Sequence, residues 1–178
     1  FRSLIMNNIY IKHCLSFVFY VLVQILLFDN VTFMGFVAPV IYLLFILSLP
    51  FNTPKWILVL LGFTMGFVID CFTGFLGMHA FALLVMSFVR NAVIKFIPYY
   101  GERDENLQPI VYDMKLRWYL KYIVYLTLIH QFTYYFVDML TLRHLGRLLM
   151  VVLGNTFFSV LCMLIVQYLF YKPSKKGY

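Results

Sequence analysis

Five side chains have the types and spacing that acid–base chemistry or metal binding would need. His130, Tyr134 and Asp138 recur every four residues, which places them on one face of a helix. Asp70 and His79 flank a glycine-rich turn earlier in the chain. Carboxylates and imidazoles act as general acids and bases and as metal ligands. These five residues are therefore the candidates for a single polar cluster.

Other features of the sequence count against an enzyme or a metal site. The chain has no His-Glu-x-x-His motif, its histidines lie on different segments, and its serines have no evident base partner. Cys14, Cys71 and Cys162 are far apart and lie in or beside apolar runs. We therefore predict that the chain is not an enzyme and has no catalytic residue, no metal ligand and no cofactor.

The composition is that of a membrane protein. Of the 178 residues, 63% are hydrophobic and only 12% are charged, whereas a soluble domain has roughly 45–50% apolar and about 25% charged residues. The net charge of +7 does not indicate a nucleic-acid partner. The lysines and arginines flank apolar runs instead of forming a stripe along a polar face.

Six apolar segments are long enough, or nearly so, to cross about 30 Å of hydrocarbon. The predicted transmembrane helices are about 10–28, 33–49, 54–70, 78–97, 118–140 and 148–171. Most connections between them are short, and the largest polar one is Pro98–Arg117. We therefore predict an all-α, polytopic bundle of about six transmembrane helices, in which residues 1–178 form one integral membrane domain.

The basic residues orient this bundle. With the N-terminus in the cytoplasm, Arg143 and Arg147 are the only two of the 14 lysines and arginines on the outer side. Both termini are therefore predicted to be cytoplasmic. Arg90 and Lys121 lie within the fourth and fifth helices and are predicted to extend their charged ends to the inner interface.

Polar amides also occur singly in the apolar helices. Such residues usually hydrogen-bond to a neighbouring helix. The amides concerned are Gln24, Asn91, Asn155 and Gln167.

A glycine-spaced face runs along the third helix. Gly62, Gly66 and Asp70 follow at four-residue spacing and share one narrow face. Glycines on such a face let another backbone approach closely. Two interpretations remain open, which are packing against another helix of the same chain and docking of a separate partner.

The residues after this face form a predicted turn. Gly74 and Gly77 suit left-handed turn geometry between two helices, and Ala80 begins the next helix. Two predictions remain open for Asp70. It is either a solvated or capping carboxylate, or it organises the turn Cys71–Gly77 and makes a polar contact across the outer surface of the bundle.

This region resembles a known family. The stretch GFTMGFVIDCFTGFLGMHAFALL (Gly62–Leu84) is similar to the signature of the rod shape-determining protein MreD, and LSLPFNTPKW (Leu47–Trp56) resembles that family's second cytoplasmic connection. The resemblance covers nearly the whole chain in length and helix count. The residues that match the family pattern are Gly66, Asp70, Gly74, Gly77 and Ala80.

The resemblance implies a function and a set of partners. MreD-like proteins are non-catalytic scaffolds in the bacterial inner membrane that bind the bitopic protein MreC and modulate peptidoglycan synthesis during elongation. The implied associated partners are the MreB filament, the RodA glycosyltransferase and the elongation penicillin-binding protein, together with membrane lipid. The implied fold is similar to the substrate-binding component of energy-coupling-factor vitamin transporters. No soluble small-molecule substrate is expected.

That fold similarity gives the alternative function, a substrate-binding subunit of a vitamin transporter. It would need an outward-facing polar pocket, for which Asp70, His79, His130 and Asp138 are the available residues. Ligand sites normally gather several convergent donors and acceptors, and this set has few others near it. The short outer loops also leave little chain to cover a captured vitamin. The scaffold is therefore favoured.

Overall fold

The protein is all-helical in the computed structural model, which describes residues 2–28, 38–74, 77–99, 108–139 and 145–170. Its helices are α1 (Arg2–Val23, continued by a π-helical turn at Gln24–Phe28), α2 (Leu43–Leu47), α3 (Lys55–Thr73), α4 (Met78–Phe96), α5 (Leu116–Met139) and α6 (Leu145–Phe170).

Among the described residues, three stretches are long and apolar enough to cross a membrane: Lys55–Thr73, Met78–Phe96 and Gly146–Phe170. They lie in α3, α4 and α6. This length and composition indicate a membrane protein.

Helices α3 to α6 pack as successive antiparallel neighbours. Residues near the start of one helix contact residues near the end of the next, as the pair Tyr112 and Tyr168 shows for the segment before α5 and the end of α6. The bundle therefore has two ends. We call them the Asp70 end, where α3 ends and α4 begins, and the Lys55 end, where α3 begins and α4 ends.

The second predicted helix, 33–49, is wrong over most of the part that the structure describes. Only α2, Leu43–Leu47, is helical, and residues 38–42 are not, while residues 33–37 lie outside the described residues. Pro39 accounts for the break at Ala38, and after it the Val40 and Ile41 amides bond to side chains of Ser159 and Gln24. Proline lacks a backbone N–H and its ring clashes with the preceding helical turn, and it also disfavours helical geometry at the residue before it.

The short helix α2 lies at the centre of the bundle. Leu43, Leu44, Ile46 and Leu47 have no exposed surface, and Phe45 is almost fully buried. A helix that is apolar on all sides is stable only when protein or lipid surrounds it. The other helices therefore pack around α2, which hydropathy predicts to be part of a transmembrane helix.

Polar side chains satisfy the non-helical backbone that leads into α2. Asn155 Oδ1 accepts from the Ala38 N–H at 2.8 Å, and Ser159 Oγ accepts from the Val40 N–H at 3.0 Å. Gln24 Oε1 accepts from the Ile41 N–H at 3.0 Å. Irregular backbone at membrane depth is tolerated only when protein groups supply such partners.

These contacts refine the prediction for the buried amides. Gln24 and Asn155 bond to the irregular segment before α2, and Gln167 Oε1 accepts from the Val111 N–H just before α5 at 3.3 Å. These three amides therefore complete the hydrogen bonding of non-helical backbone, where the sequence alone predicted a bond to another helix. Asn91, the fourth, has its side-chain oxygen buried without a hydrogen-bond partner among the described residues.

Candidate functional site

The carboxylate of Asp70 binds the beginning of α4. Its Oδ1 accepts from the His79 backbone N–H at 3.1 Å and lies 2.8 Å from His79 Nδ1. Its Oδ2 accepts from the Ala80 N–H at 2.9 Å. The first amides of a helix have no partner within the helix and carry a partial positive charge. Asp70 therefore caps α4 from the end of the preceding helix.

The glycine face of α3 lies directly against α4. A Cβ atom added at Gly66 would lie 2.4 Å from the Ala80 Cα and 2.6 Å from the carbonyl carbon of His79. One added at Gly62 would lie 2.3 Å from Ser87 Oγ. Of the two interpretations of this face, the geometry is that of packing within the chain.

The turn between the two helices uses left-handed glycines at both of its ends. Gly74 has φ 76° and its N–H donates to the Asp70 carbonyl at 3.0 Å, and Gly77 has φ 82°. Residues with a Cβ rarely adopt these angles. The six predicted motif residues thus share one hairpin, in which Gly62, Gly66, Asp70 and Ala80 make the α3–α4 contact and Gly74 and Gly77 bound the turn.

Four of the five candidate polar residues lie close together at the Asp70 end. His79 is bound to Asp70, its ring lies 4.7 Å from the Tyr134 ring, and His130 lies one helical turn from Tyr134 on α5. Asp138, the fifth, is exposed near the end of α5.

Tyr42 also belongs to this group, although it was not among the candidates predicted from the sequence. Its hydroxyl lies 3.1 Å from His130 Nε2, and its ring lies 6.0 Å from that of His79. Tyr42 lies in an apolar run, so its neighbours in the sequence predict a core residue and not a member of a polar cluster. The fact that a buried tyrosine hydroxyl usually needs a hydrogen-bond partner was the available signal.

The chemistry of this site is that of a helix cap. Both carboxylate oxygens of Asp70 already accept bonds from α4, and the whole side chain is only 5% exposed. Among the residues that the structure describes, no three or more His, Cys, Asp or Glu side chains are grouped closely enough to hold a metal ion.

A second buried cluster lies toward the Lys55 end, around Arg90. This side chain has no exposed surface. Its Nε donates to the Tyr122 hydroxyl at 2.8 Å, and its Nη2 donates to the carbonyl of Leu49. The Tyr122 hydroxyl in turn donates to the Leu47 carbonyl at 2.9 Å. Together they satisfy the carbonyls at the end of α2.

The prediction that Arg90 extends to the interface is therefore wrong. Helix α2 ends inside the bundle, where its last carbonyls have no partner within the helix. A cation also interacts favourably with the negative end of a helix dipole. Trp118, also on α5, stacks on Tyr122 with the ring centres 5.2 Å apart and borders the cluster. Lys121, the other residue in this prediction, is exposed.

Comparison of the chain with protein-family models, curated proteins and solved structures finds no match.

Proposed function

We propose that this chain is an MreD-like, non-catalytic scaffold that binds MreC and modulates peptidoglycan synthesis during elongation of rod-shaped bacteria. The residues that resemble the MreD pattern are the main support. Gly66, Asp70 and Ala80 lie in mutual contact, and Gly74 and Gly77 bound the adjoining turn. The motif therefore corresponds to one structural unit, the α3–α4 hairpin.

The observation that carries the proposal is how the polar groups at the Asp70 end are used. Asp70 accepts from two backbone amides of α4 and from His79, and His130 is bound to Tyr42. His79 and His130 are also buried. These groups hold the bundle together, as the framework of a scaffold requires.

The same observation counts against the vitamin-transporter alternative. A vitamin site at this end would need Asp70, His79 and His130 to offer free donors and acceptors to a ligand. Binding there would first have to break the Asp70 cap, which leaves amides of α4 without partners. Mass spectrometry of the purified protein for a retained vitamin separates the two functions. A retained vitamin would favour the transporter subunit over the scaffold.

The proposed setting is the bacterial inner membrane, with six passes and both termini in the cytoplasm. Five exposed cations near the Lys55 end support this orientation, because cytoplasmic ends of membrane helices carry excess lysine and arginine. They are Lys55, Lys95, Lys115, Arg117 and Lys121. In this setting MreB would meet the cytoplasmic side, and RodA and the penicillin-binding protein would join through MreC.

Asp70→Asn should weaken MreC capture about fivefold. One carboxylate oxygen becomes an NH2 group that cannot accept, so one amide of α4 loses its partner, and the neutral side chain interacts less favourably with the helix N-terminus, a loss of about 1 kcal/mol. We propose that MreC recognises this hairpin, which would then be less well held. The measurement is co-purification of MreC with the tagged chain from membranes, normalised to the amount of chain recovered.

Asp138→Asn is the matched control, because Asp138 is exposed at the same end of the bundle. It should capture MreC as the unmodified protein does. Equal capture by both variants, at a temperature at which both remain folded, would remove the hairpin as the MreC-binding element.

A further inference from the structure

An apolar groove of about 820 Å³ runs between α1 and α3, with the residues that link α2 to α3 along one side. Phe17, Val18, Phe45 and Leu61 are among the apolar residues that line it. Cys14 and Val18 are exposed, so the groove opens on the outer surface of the bundle. In a membrane this surface faces lipid.

The groove has one polar end. Asn52 and Thr53 line it just before α3 begins, and His13 lines it from α1. From there the lining continues along α3 from Pro54 to Thr64, a length of about 15 Å at about 1.5 Å per residue. At the other end, the Thr64 hydroxyl donates to the Leu60 carbonyl of its own helix.

This length identifies the kind of occupant. The groove covers about half of the roughly 30 Å of hydrocarbon in a bilayer, which is the depth of one leaflet. A transmembrane helix of a partner, about 30 Å long, would extend to about twice the length of the groove. An amphiphile with a polar head at the Lys55 end and one apolar chain matches both the length and the polarity of the groove.

The charge at that end selects the headgroup. Lys55 directly follows the lining residue Pro54, and four further exposed cations, Lys95, Lys115, Arg117 and Lys121, lie at the same end of the bundle on α4, on α5 or just before α5. Within the part of the chain that the structure describes, Asp113 is the acidic residue there, and it is only half-exposed. A basic surface next to a membrane attracts anionic lipids.

We propose that this groove binds one anionic phospholipid from the leaflet at the Lys55 end. One acyl chain lies between Phe17, Val18 and Leu61, and the headgroup lies beside His13, Asn52 and Thr53. This inference goes beyond the proposed scaffold function and concerns the chain alone, so it can fail while that function stands.

Val18→Trp tests the proposal, because a large ring at this exposed position fills the groove without entering the core. The purified full chain is titrated in detergent with phosphatidylglycerol or phosphatidylethanolamine, and bound lipid is counted by native mass spectrometry. The unmodified protein should retain one phosphatidylglycerol in preference to phosphatidylethanolamine. Val18→Trp should retain it about tenfold less, the loss expected when about two methylene groups leave apolar surroundings.

Leu153→Trp is the matched control, since Leu153 is similarly exposed on α6 outside the groove (57% against 53% for Val18). It should retain lipid as the unmodified protein does. Added salt should reduce the preference for phosphatidylglycerol. Equal retention by the two tryptophan variants would overturn the proposal. So would a dimer cross-linked through Cys14 that excludes lipid, because a second copy would then occupy the groove.

Discussion

Gly66→Ala should destabilise the protein by about 1–3 kcal/mol, the usual effect of overpacking a close contact. The added methyl group would lie 2.4 Å from the Ala80 Cα and 2.5 Å from its nitrogen. These are backbone atoms, so no side-chain rotation relieves the clash and α3 must move away from α4. That movement would also stretch the bonds from the amides of α4 to Asp70. Gly66→Leu should disrupt the hairpin more severely.

Thermal unfolding in detergent, followed by size-exclusion chromatography of the heated samples, measures this effect. Gly154→Ala is the control, because a Cβ atom added at this position in α6 meets nothing within 4 Å. Alanine is a better helix former than glycine, so this variant should be neutral or more stable by up to about 1 kcal/mol. Gly66→Ala unfolding at the same temperature as Gly154→Ala would contradict the close α3–α4 contact.

Arg90→Ala should have the largest effect, a loss of about 3–5 kcal/mol. The fully buried side chain would leave a cavity, as large-to-small core substitutions do. It would also leave the Leu49 carbonyl without the Arg90 donor in a region that water does not reach. Unfolding in detergent, with the fraction of monodisperse protein as a second readout, measures the loss.

Two further variants separate the causes of this effect. Arg90→Met keeps most of the volume and removes the donors, so it should still lose about 1–3 kcal/mol. Arg117→Ala removes an exposed arginine at the same end of the bundle and should change stability by less than about 0.5 kcal/mol. Full stability of Arg90→Met would show that filling space, and not holding the end of α2, is the function of Arg90.

The α3–α4 hairpin is the part of the fold that the sequence predicts best. Glycines at four-residue spacing can be interpreted as a close helix contact, because helical periodicity alone sets which residues share a face. Gly74 and Gly77 likewise mark a turn by their local conformational freedom. The pairing of Asp70 with His79 and Ala80 follows once the turn brings the two helix ends together.

The central segment, which contains α2, is the part of the fold that hydropathy predicts least well. An apolar run of sufficient length predicts a spanning helix, yet Pro39 interrupts it, and among its described residues only Leu43–Leu47 are helical. The positions of Tyr42 and Arg90 then depend on tertiary contacts with that broken segment. An arginine near a helix end is expected to reach water, unless buried carbonyls elsewhere in the chain offer it partners.

Controlled depletion of this protein in its own host, with cell shape scored by microscopy in vitamin-supplemented medium, tests the proposed scaffold most directly. If the chain is a scaffold of the elongation machinery, the cells should lose their rod shape and become round, and supplementation should not rescue them. Unchanged shape, or a growth defect that a single vitamin cures, would contradict the scaffold and favour the substrate-binding subunit of a vitamin transporter.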